Sequence, residues 1–195
     1  HYLVGSAYKR YTDGKVGVEE FGFEPGTQIE EGVKLPEPYL EVSTKFETYD
    51  RLLDREEALQ ISNLTEDEFQ AILDVVLQVD AIIEREAGAR GLIHVDGKKE
   101  FALGEDRKPI LVDSFGTLDE DRWWDAETYA NGQIVSLSKE FVREHYIAIG
   151  HHRALYDARA DGTEEPPIPA LPQAMIDKTV ELYASMYERL TGVEF

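Results

Sequence analysis

The stretch Leu92-Ile93-His94-Val95-Asp96-Gly97-Lys98-Lys99-Glu100-Phe101 decides how this chain is read. Taken as extended, its side chains alternate between two faces. Asp96, Lys98 and Glu100 are then expected on one face together with His94, and Ile93, Val95 and Phe101 on the other. Two acids flanking a lysine suit a surface that meets a metal–phosphate complex. Carboxylate oxygens hold Mg²⁺, and an ammonium neutralises phosphate or carboxylate. A surface strand with alternating charge has the same pattern, and on these residues alone it is the favoured reading.

The neighbouring residues extend the pattern into a hairpin. Leu92–Asp96 and Lys99–Leu103 read as extended, Gly104–Lys108 as a polar turn and Ile110–Asp113 as the return strand. Pro109 stands at a strand start, where a missing N–H is tolerated. Asp113 ends an apolar run, a costly place for an acid without a partner. The hairpin is expected to bring Asp113 toward Glu100 or Asp96. Close carboxylates raise one another's pKa unless a cation bridges them. A divalent ion resolves that repulsion; an ion pair with Lys98 is the alternative.

Further out, helices are expected on both sides of this region. Phe69, Ile72, Leu73, Val76, Val79 and Ile83 recur at helical spacing. Asn63 or Thr65 is the expected cap, and Glu66, Asp67 and Glu68 place negative charge in the first turn, where the helix dipole favours it. Gly88 or Gly91 is the expected stop. A second helix is expected over 138–149 with Ser138 as its N-cap, followed by a linker or flap over 158–169. The last helix runs from about Pro172 to Leu190 and stops at Gly192. Its expected apolar face is Ile176, Val180, Tyr183, Tyr187 and Leu190. The first 50 residues are punctuated by Gly and Pro, so short strands and turns are expected there, with Val16–Val18 and Phe21–Phe23 alternating as strands do. The expected class is α+β, in a single lobe over 1–195.

Composition narrows the function. The chain has 195 residues, 42% of them hydrophobic, enough for a core. Its formal net charge of −20 disfavours nucleic acid and anionic membranes as partners. No run approaches the roughly 20 apolar residues of a membrane helix. Cysteine is absent, which excludes thiolate chemistry and fits a cytoplasmic protein. His94 reads as a hydrogen-bonded structural residue, and His151-His152 lacks the spacing of a zinc site. Trp123 and Trp124 read as core or lid residues.

Several blocks, in order, resemble the SAICAR synthetase family. Asp96-x-Lys98-x-Glu100-Phe101, Leu111-Val112-Asp113 and Thr117-Leu118-Asp119-Glu120-Asp121-Arg122-Trp123-Trp124 resemble that family's Asp-x-Lys-x-Glu-Phe-Gly, Asp-Glu and Thr-Pro-Asp-Ser-Ser-Arg-Phe-Trp. Tyr2-Leu3-Val4-Gly5-Ser6, followed by Tyr8-Lys9-x-Tyr11, is similar to its Gly-Ser substrate loop. Lys34-Leu35-Pro36-Glu37-Pro38, Ser43-Thr44-Lys45, Lys139-Glu140-Phe141-Val142-Arg143 and Leu190-Thr191-Gly192 match further segments. The resemblance covers essentially the whole chain.

The resemblance implies the catalytic lobe of a SAICAR synthetase-like, distantly kinase-like fold. It implies an ATP- and Mg²⁺-dependent ligase of purine biosynthesis that joins L-aspartate to carboxyaminoimidazole ribotide. Glu100 and Asp113 match the family's Mg²⁺–nucleotide acids. Asp96 and Lys98 match the polar pair beside the reacting groups: Lys98 to neutralise the transferring phosphoryl, Asp96 to orient the aspartate amine or take its proton. Gly5, Ser6 and Arg122 match the ribotide phosphate site. Lys139 and Arg143, four apart on one helix face, are candidates for a substrate phosphate or carboxylate, with a surface basic pair the alternative.

Some residues depart from the family pattern. Ser114 stands where the pattern has an acid, Gly97 and Ala102 replace commoner residues, and Leu118 replaces proline. Asp119, Glu120 and Asp121 make the Arg122 region more acidic. Family members also begin with a β-rich nucleotide lobe that is not found in these residues, so this chain is expected to be the C-terminal two-thirds, binding nucleotide poorly and not turning over alone. Two other readings stand beside the ligase: a kinase-like phosphotransferase, and a non-catalytic ribotide- or nucleotide-binding domain derived from the family.

Overall fold

The computed structural model describes residues 1–45, 47 and 51–195. In chain order the elements are α1 (Gly5–Thr12), a 3-10 turn (Val18–Phe21), β1 (Val42–Ser43), β2 (Leu52–Leu53), α2 (Arg55–Ser62), α3 (Glu66–Gly88), β3 (Leu92–Gly97), β4 (Glu100–Leu103), β5 (Pro109–Val112), β6 (Asp121–Asp125), α4 (Ala126–Ala130), α5 (Glu140–Ala148), α6 (His151–Asp161) and α7 (Gln173–Thr191). Helices and short antiparallel strand pairs make this the α+β class expected. The contacts gather the chain into two compact units, His1–Ile83 with Lys98–Phe115 and Glu84–Gly97 with Gly116–Phe195.

The first unit is built on a small core of Leu3, Val18, Phe21, Ile29 and Leu35. Burying side chains of this size contributes about 1.5–3 kcal/mol each. The strands expected around 16–23 do not form. Val18–Phe21 is instead a single 3-10 turn, closed by Gly22 at φ 81, which turns Val18 and Phe21 into the same core. Alternation over so few residues cannot tell a strand from a tight turn. Gly5 and Ser6, read as a loop, open α1.

Helix α3 begins as its sequence indicates. Thr65 Oγ1 accepts the Glu68 amide at 3.2 Å, and the Glu68 carboxylate accepts the Thr65 amide at 2.8 Å. This reciprocal box satisfies two donors that the helix end would otherwise leave open. Asn63, the other candidate cap, instead ends α2 at φ 55. The β4–β5 hairpin pairs Glu100 with Val112 and Leu103 with Pro109. Arg107 in its turn donates to Glu68 at 2.5 and 2.7 Å and to the Asn63 carbonyl at 3.3 Å, tying the turn to the start of α3.

The second unit is organised by β3 and β6. They run antiparallel, with Leu92 opposite Asp125, Ile93 opposite Trp124 and His94 opposite Trp123. The register then slips by one residue, so that Asp96 faces Arg122 and Gly97 faces Asp121. Trp123 is 1% exposed and Trp124 4%, so both are core residues as the sequence indicates. Arg189 on α7 fastens this end of the pair, donating to the carbonyls of Arg90 at 2.9 Å and Gly91 at 2.7 Å and meeting Asp125 at 2.9 Å.

Three expectations in this unit are corrected. Ser138 is not the cap of α5: it is fully buried one residue before Lys139, which holds the cap position. Residues 151–161 form α6, so the linker starts only at Gly162, whose φ of 63 ends that helix. In α7 the fully buried residue is Met186, whereas Ile176, Val180 and Tyr187 stay exposed. Of the expected apolar stripe, only Tyr183 and Leu190 are partly buried.

Candidate functional site

The stretch expected as one alternating face is two separate strands. β3 ends at Gly97 and pairs with β6, while β4 starts at Glu100 and pairs with β5. Within β3, the extra residue at Val95 is a β-bulge, where two residues of one strand oppose one of the other. Side-chain direction reverses across it. His94 and Val95 are both buried, at 2% and 0% exposed, and Asp96 turns to the opposite side from His94. His94 and Asp96 therefore do not share a face, contrary to the period-2 expectation.

In the second unit the bulge sets Asp96 beside Arg122. Arg122 Nη1 donates to Asp96 Oδ2 at 2.5 Å, and its Nε lies 3.6 Å from Glu140 Oε1. Arg143 also donates to Glu140 Oε1. Asp96, Arg122, Glu140 and Arg143 thus form a chain of alternating charge, in which Glu140 joins two cations that the sequence named separately. Lys139 stands at the start of α5 and is exposed. Burial pushes the Asp96 carboxyl above the ordinary carboxylate range, and the Arg122 guanidinium pulls the other way without reversing the shift. A carboxylate made more basic while held by a guanidinium can orient an amine or take its proton.

In the first unit Glu100 is the centre of a second arrangement. Its side chain is 13% exposed, with Lys98 Nζ 2.8 Å from Oε1 and Lys45 Nζ bonded to Oε2. Lys45 lies in the matched Ser43-Thr44-Lys45 block, but its role here is visible only in three dimensions. Asp113 follows β5 one residue beyond Val112, the partner of Glu100, so both acids lie at the same end of the hairpin. Asp113 has φ 72 and accepts the Ser114 amide on its own Oδ1 at 2.8 Å. Among the described residues, no group of three or more His, Asp or Glu side chains is placed to hold an ion. A Mg²⁺ that arrives on nucleotide phosphates needs only one or two carboxylates, and Glu100 with Asp113 fits that donor set.

Gly5 has φ 55 and opens α1, with Ser6 exposed in the first turn. Amides at a helix start point outward, and with a hydroxyl beside them they suit an anion. Two features of the second unit escaped the sequence reading. One is Glu140 as a bridge. The other is a buried pair, His94 Nε2 to Asp121 Oδ2 at 2.9 Å, with side chains 1% and 0% exposed. No local signal marks that pair, because the two residues are brought together by strand pairing and by the bulge.

The family model described as SAICAR synthetase matches residues 1–155. The phosphoribosylaminoimidazole-succinocarboxamide synthase of Thermoplasma acidophilum is 50% identical over 192 residues, covering 98% of this chain and 65% of that protein. Its namesake from Thermoplasma volcanium is 46% identical over the same coverage. The chain therefore spans about 65% of the length of these curated relatives. Among solved structures, SAICAR synthase from Saccharomyces cerevisiae complexed with SAICAR aligns with a TM-score of 0.74 at 26% identity, over 100% of this chain and 58% of that one. SAICAR synthetase from Pyrococcus horikoshii OT3 aligns with a TM-score of 0.64 at 25% identity, over 100% and 62%.

Proposed function

This chain belongs to the SAICAR synthetase family, and we propose on that premise that it carries the substrate- and metal-binding part of an ATP-dependent ligase of purine biosynthesis. The reaction joins L-aspartate to carboxyaminoimidazole ribotide, giving SAICAR, ADP and phosphate. The observation that carries this reading is the family match over residues 1–155, which contain Gly5, Ser6, Asp96, Lys98, Glu100, Asp113 and Arg122.

The chemistry is mostly positioning and charge neutralisation. Arg122 grips a ribotide phosphate, since a guanidinium presents parallel donors to an oxyanion. Ser6 at the start of α1 offers a hydroxyl suited to a substrate anion. Asp96 orients the amine of L-aspartate, and burial makes it a better acceptor for the amine proton. Lys98 neutralises charge on the transferring phosphoryl. Glu100 and Asp113 are the carboxylates that would hold a Mg²⁺, which would screen the nucleotide phosphates. Lys139 and Arg143 lie beside Glu140 as reserves of positive charge for a substrate anion. The substrates are small molecules, and among the described residues no helix is long and apolar enough to cross a membrane. A cytoplasmic setting belongs to the same reading.

Calorimetry with carboxyaminoimidazole ribotide tests it, using the full reading frame that contains this chain. The expected result is saturable binding that Arg122→Ala weakens at least tenfold, about 1.4 kcal/mol. A parent protein that binds no ribotide overturns the proposal.

A further inference from the structure

On the buried side of β3 and β6, the Asp121 carboxylate is held at several points. Its Oδ2 lies 2.9 Å from His94 Nε2 and accepts the Gly116 amide at 3.0 Å. The carboxylate also lies over Gly97, its register partner: a Cβ on Gly97 would come within 2.2 Å of Oδ1 and 2.4 Å of the carboxyl carbon. The side chain is closed off from solvent and anchored twice, so it cannot swing away from such a contact. Gly97 is therefore required for space and not for its backbone angle.

The register explains why this space matters. Without the extra residue at Val95, Asp96 itself would stand opposite Asp121, and two carboxylates would share the buried face. The bulge replaces Asp96 by Gly97 at that point and sends Asp96 to the side where Arg122 lies. Two departures from the family motif that are unrelated in sequence, Gly97 and Asp121, are thus complementary in space. His94 completes the set by bonding the carboxylate that Gly97 makes room for.

We infer that Gly97 is a positioning residue: the space it leaves seats the Asp121 carboxylate against His94 and the Gly116 amide, which keeps the Val95 bulge in place and so aims Asp96 at Arg122. The ligand served by Asp96 and Arg122 rests on the reading above; the geometric claim does not.

A cycle of Gly97→Ala, Asp121→Ser and the double variant tests this, Ser being the residue of the family motif at that position. Two readouts are followed in the full-length protein: the titration of the Asp96 carboxyl by ¹³C NMR without ligand, and the affinity for carboxyaminoimidazole ribotide. Gly97→Ala is expected to weaken ribotide binding at least tenfold and to raise the Asp96 titration by about one unit, the equivalent of a tenfold change. Asp121→Ser added to it restores both toward the parent, because the smaller side chain yields the space the new methyl needs. Strictly additive effects, or an Asp96 titration unmoved by Gly97→Ala, overturn the inference. If Gly97→Ala alone does not fold, the double variant is expected to fold, and its failure to do so overturns the inference as well. A parent that binds no ribotide sinks the proposed function, while the NMR readout still decides the role of Gly97.

Discussion

Arg122 reaches Asp96 across the β3–β6 pair at 2.5 Å because one extra residue, Val95, has shifted the register between them. The contact joins the group proposed to grip phosphate to the group proposed to handle the aspartate amine. It also makes the charge state of Asp96 depend on Arg122. Burial raises the Asp96 pKa and the guanidinium opposes that rise.

Replacing Arg122 by Ala removes the opposing pull, so the Asp96 pKa rises further. A raised carboxyl contributes its stability at low pH and loses it as pH climbs through the folded value. The Arg122→Ala variant is therefore expected to lose stability relative to the parent as pH rises just above the ordinary carboxylate range. Urea midpoints measured across that window check this; a constant difference between the two proteins at every pH would contradict it.

Glu68 behaves in the opposite sense. Hydrogen bonds from Arg107 are the largest cause holding its pKa at about 2, with the Thr65 amide next. A depressed carboxylate stabilises the fold above its unfolded pKa, near 4.3, and that contribution drains away as pH falls toward the folded value. Glu68→Gln should therefore flatten the acid limb of the stability profile between those two values. Comparison with the parent is essential, because protonation also relieves the self-repulsion of a chain with net charge −20. Superimposable acid limbs for parent and Glu68→Gln would rule the pair out as a pH-dependent tie.

The proposed metal role of Glu100 has a direct test. If Glu100 and Asp113 hold Mg²⁺ on a nucleotide, calorimetry of the full-length protein should show ADP binding that weakens when Mg²⁺ is removed by a chelator. Glu100→Gln should weaken the Mg²⁺–ADP complex at least tenfold, about 1.4 kcal/mol. The difference between parent and variant should vanish in chelator. Equal Mg²⁺–ADP affinity in both proteins would exclude Glu100 as the metal acid and leave it as the partner of Lys45 and Lys98.

Trp123 anchors the second unit. It is 1% exposed, stands opposite His94 in the register and packs on its ring at 4.9 Å between centroids. Trp123→Ala is expected to cost about 3–5 kcal/mol, the range for removing a buried aromatic side chain. Chemical denaturation measures it. A loss below about 1 kcal/mol would mean that the neighbouring side chains collapse into the space.

By itself the sequence determined the α+β class, the span of α3, the start and stop of α7 and the hairpin of β4 and β5. These rest on local physics. Helical periodicity, the Thr65–Glu68 cap, Gly192 at φ 74 and Pro109 at a strand start act over a few residues and leave their mark on the chain. The ordered motifs also brought out Asp96, Lys98, Glu100, Asp113 and Arg122, because residue type and spacing survive in one dimension. Helix α6 and the 3-10 turn at Val18 were not legible, since short amphipathic or alternating pieces fit more than one backbone and tertiary packing chooses between them.

Only the tertiary structure decided which face each candidate occupies. A strand's side chains alternate with a strict period, so a single inserted residue reverses every direction beyond it. That residue, Val95, looks like any other buried valine in the sequence. The slip it creates separates His94 from Asp96, pairs Asp96 with Arg122 and leaves room at Gly97 for the Asp121 carboxylate. Glu140 and Lys45 likewise took their places through contacts between residues far apart in the chain. Pairing register is a property of two strands at once, and neither strand's sequence contains it alone.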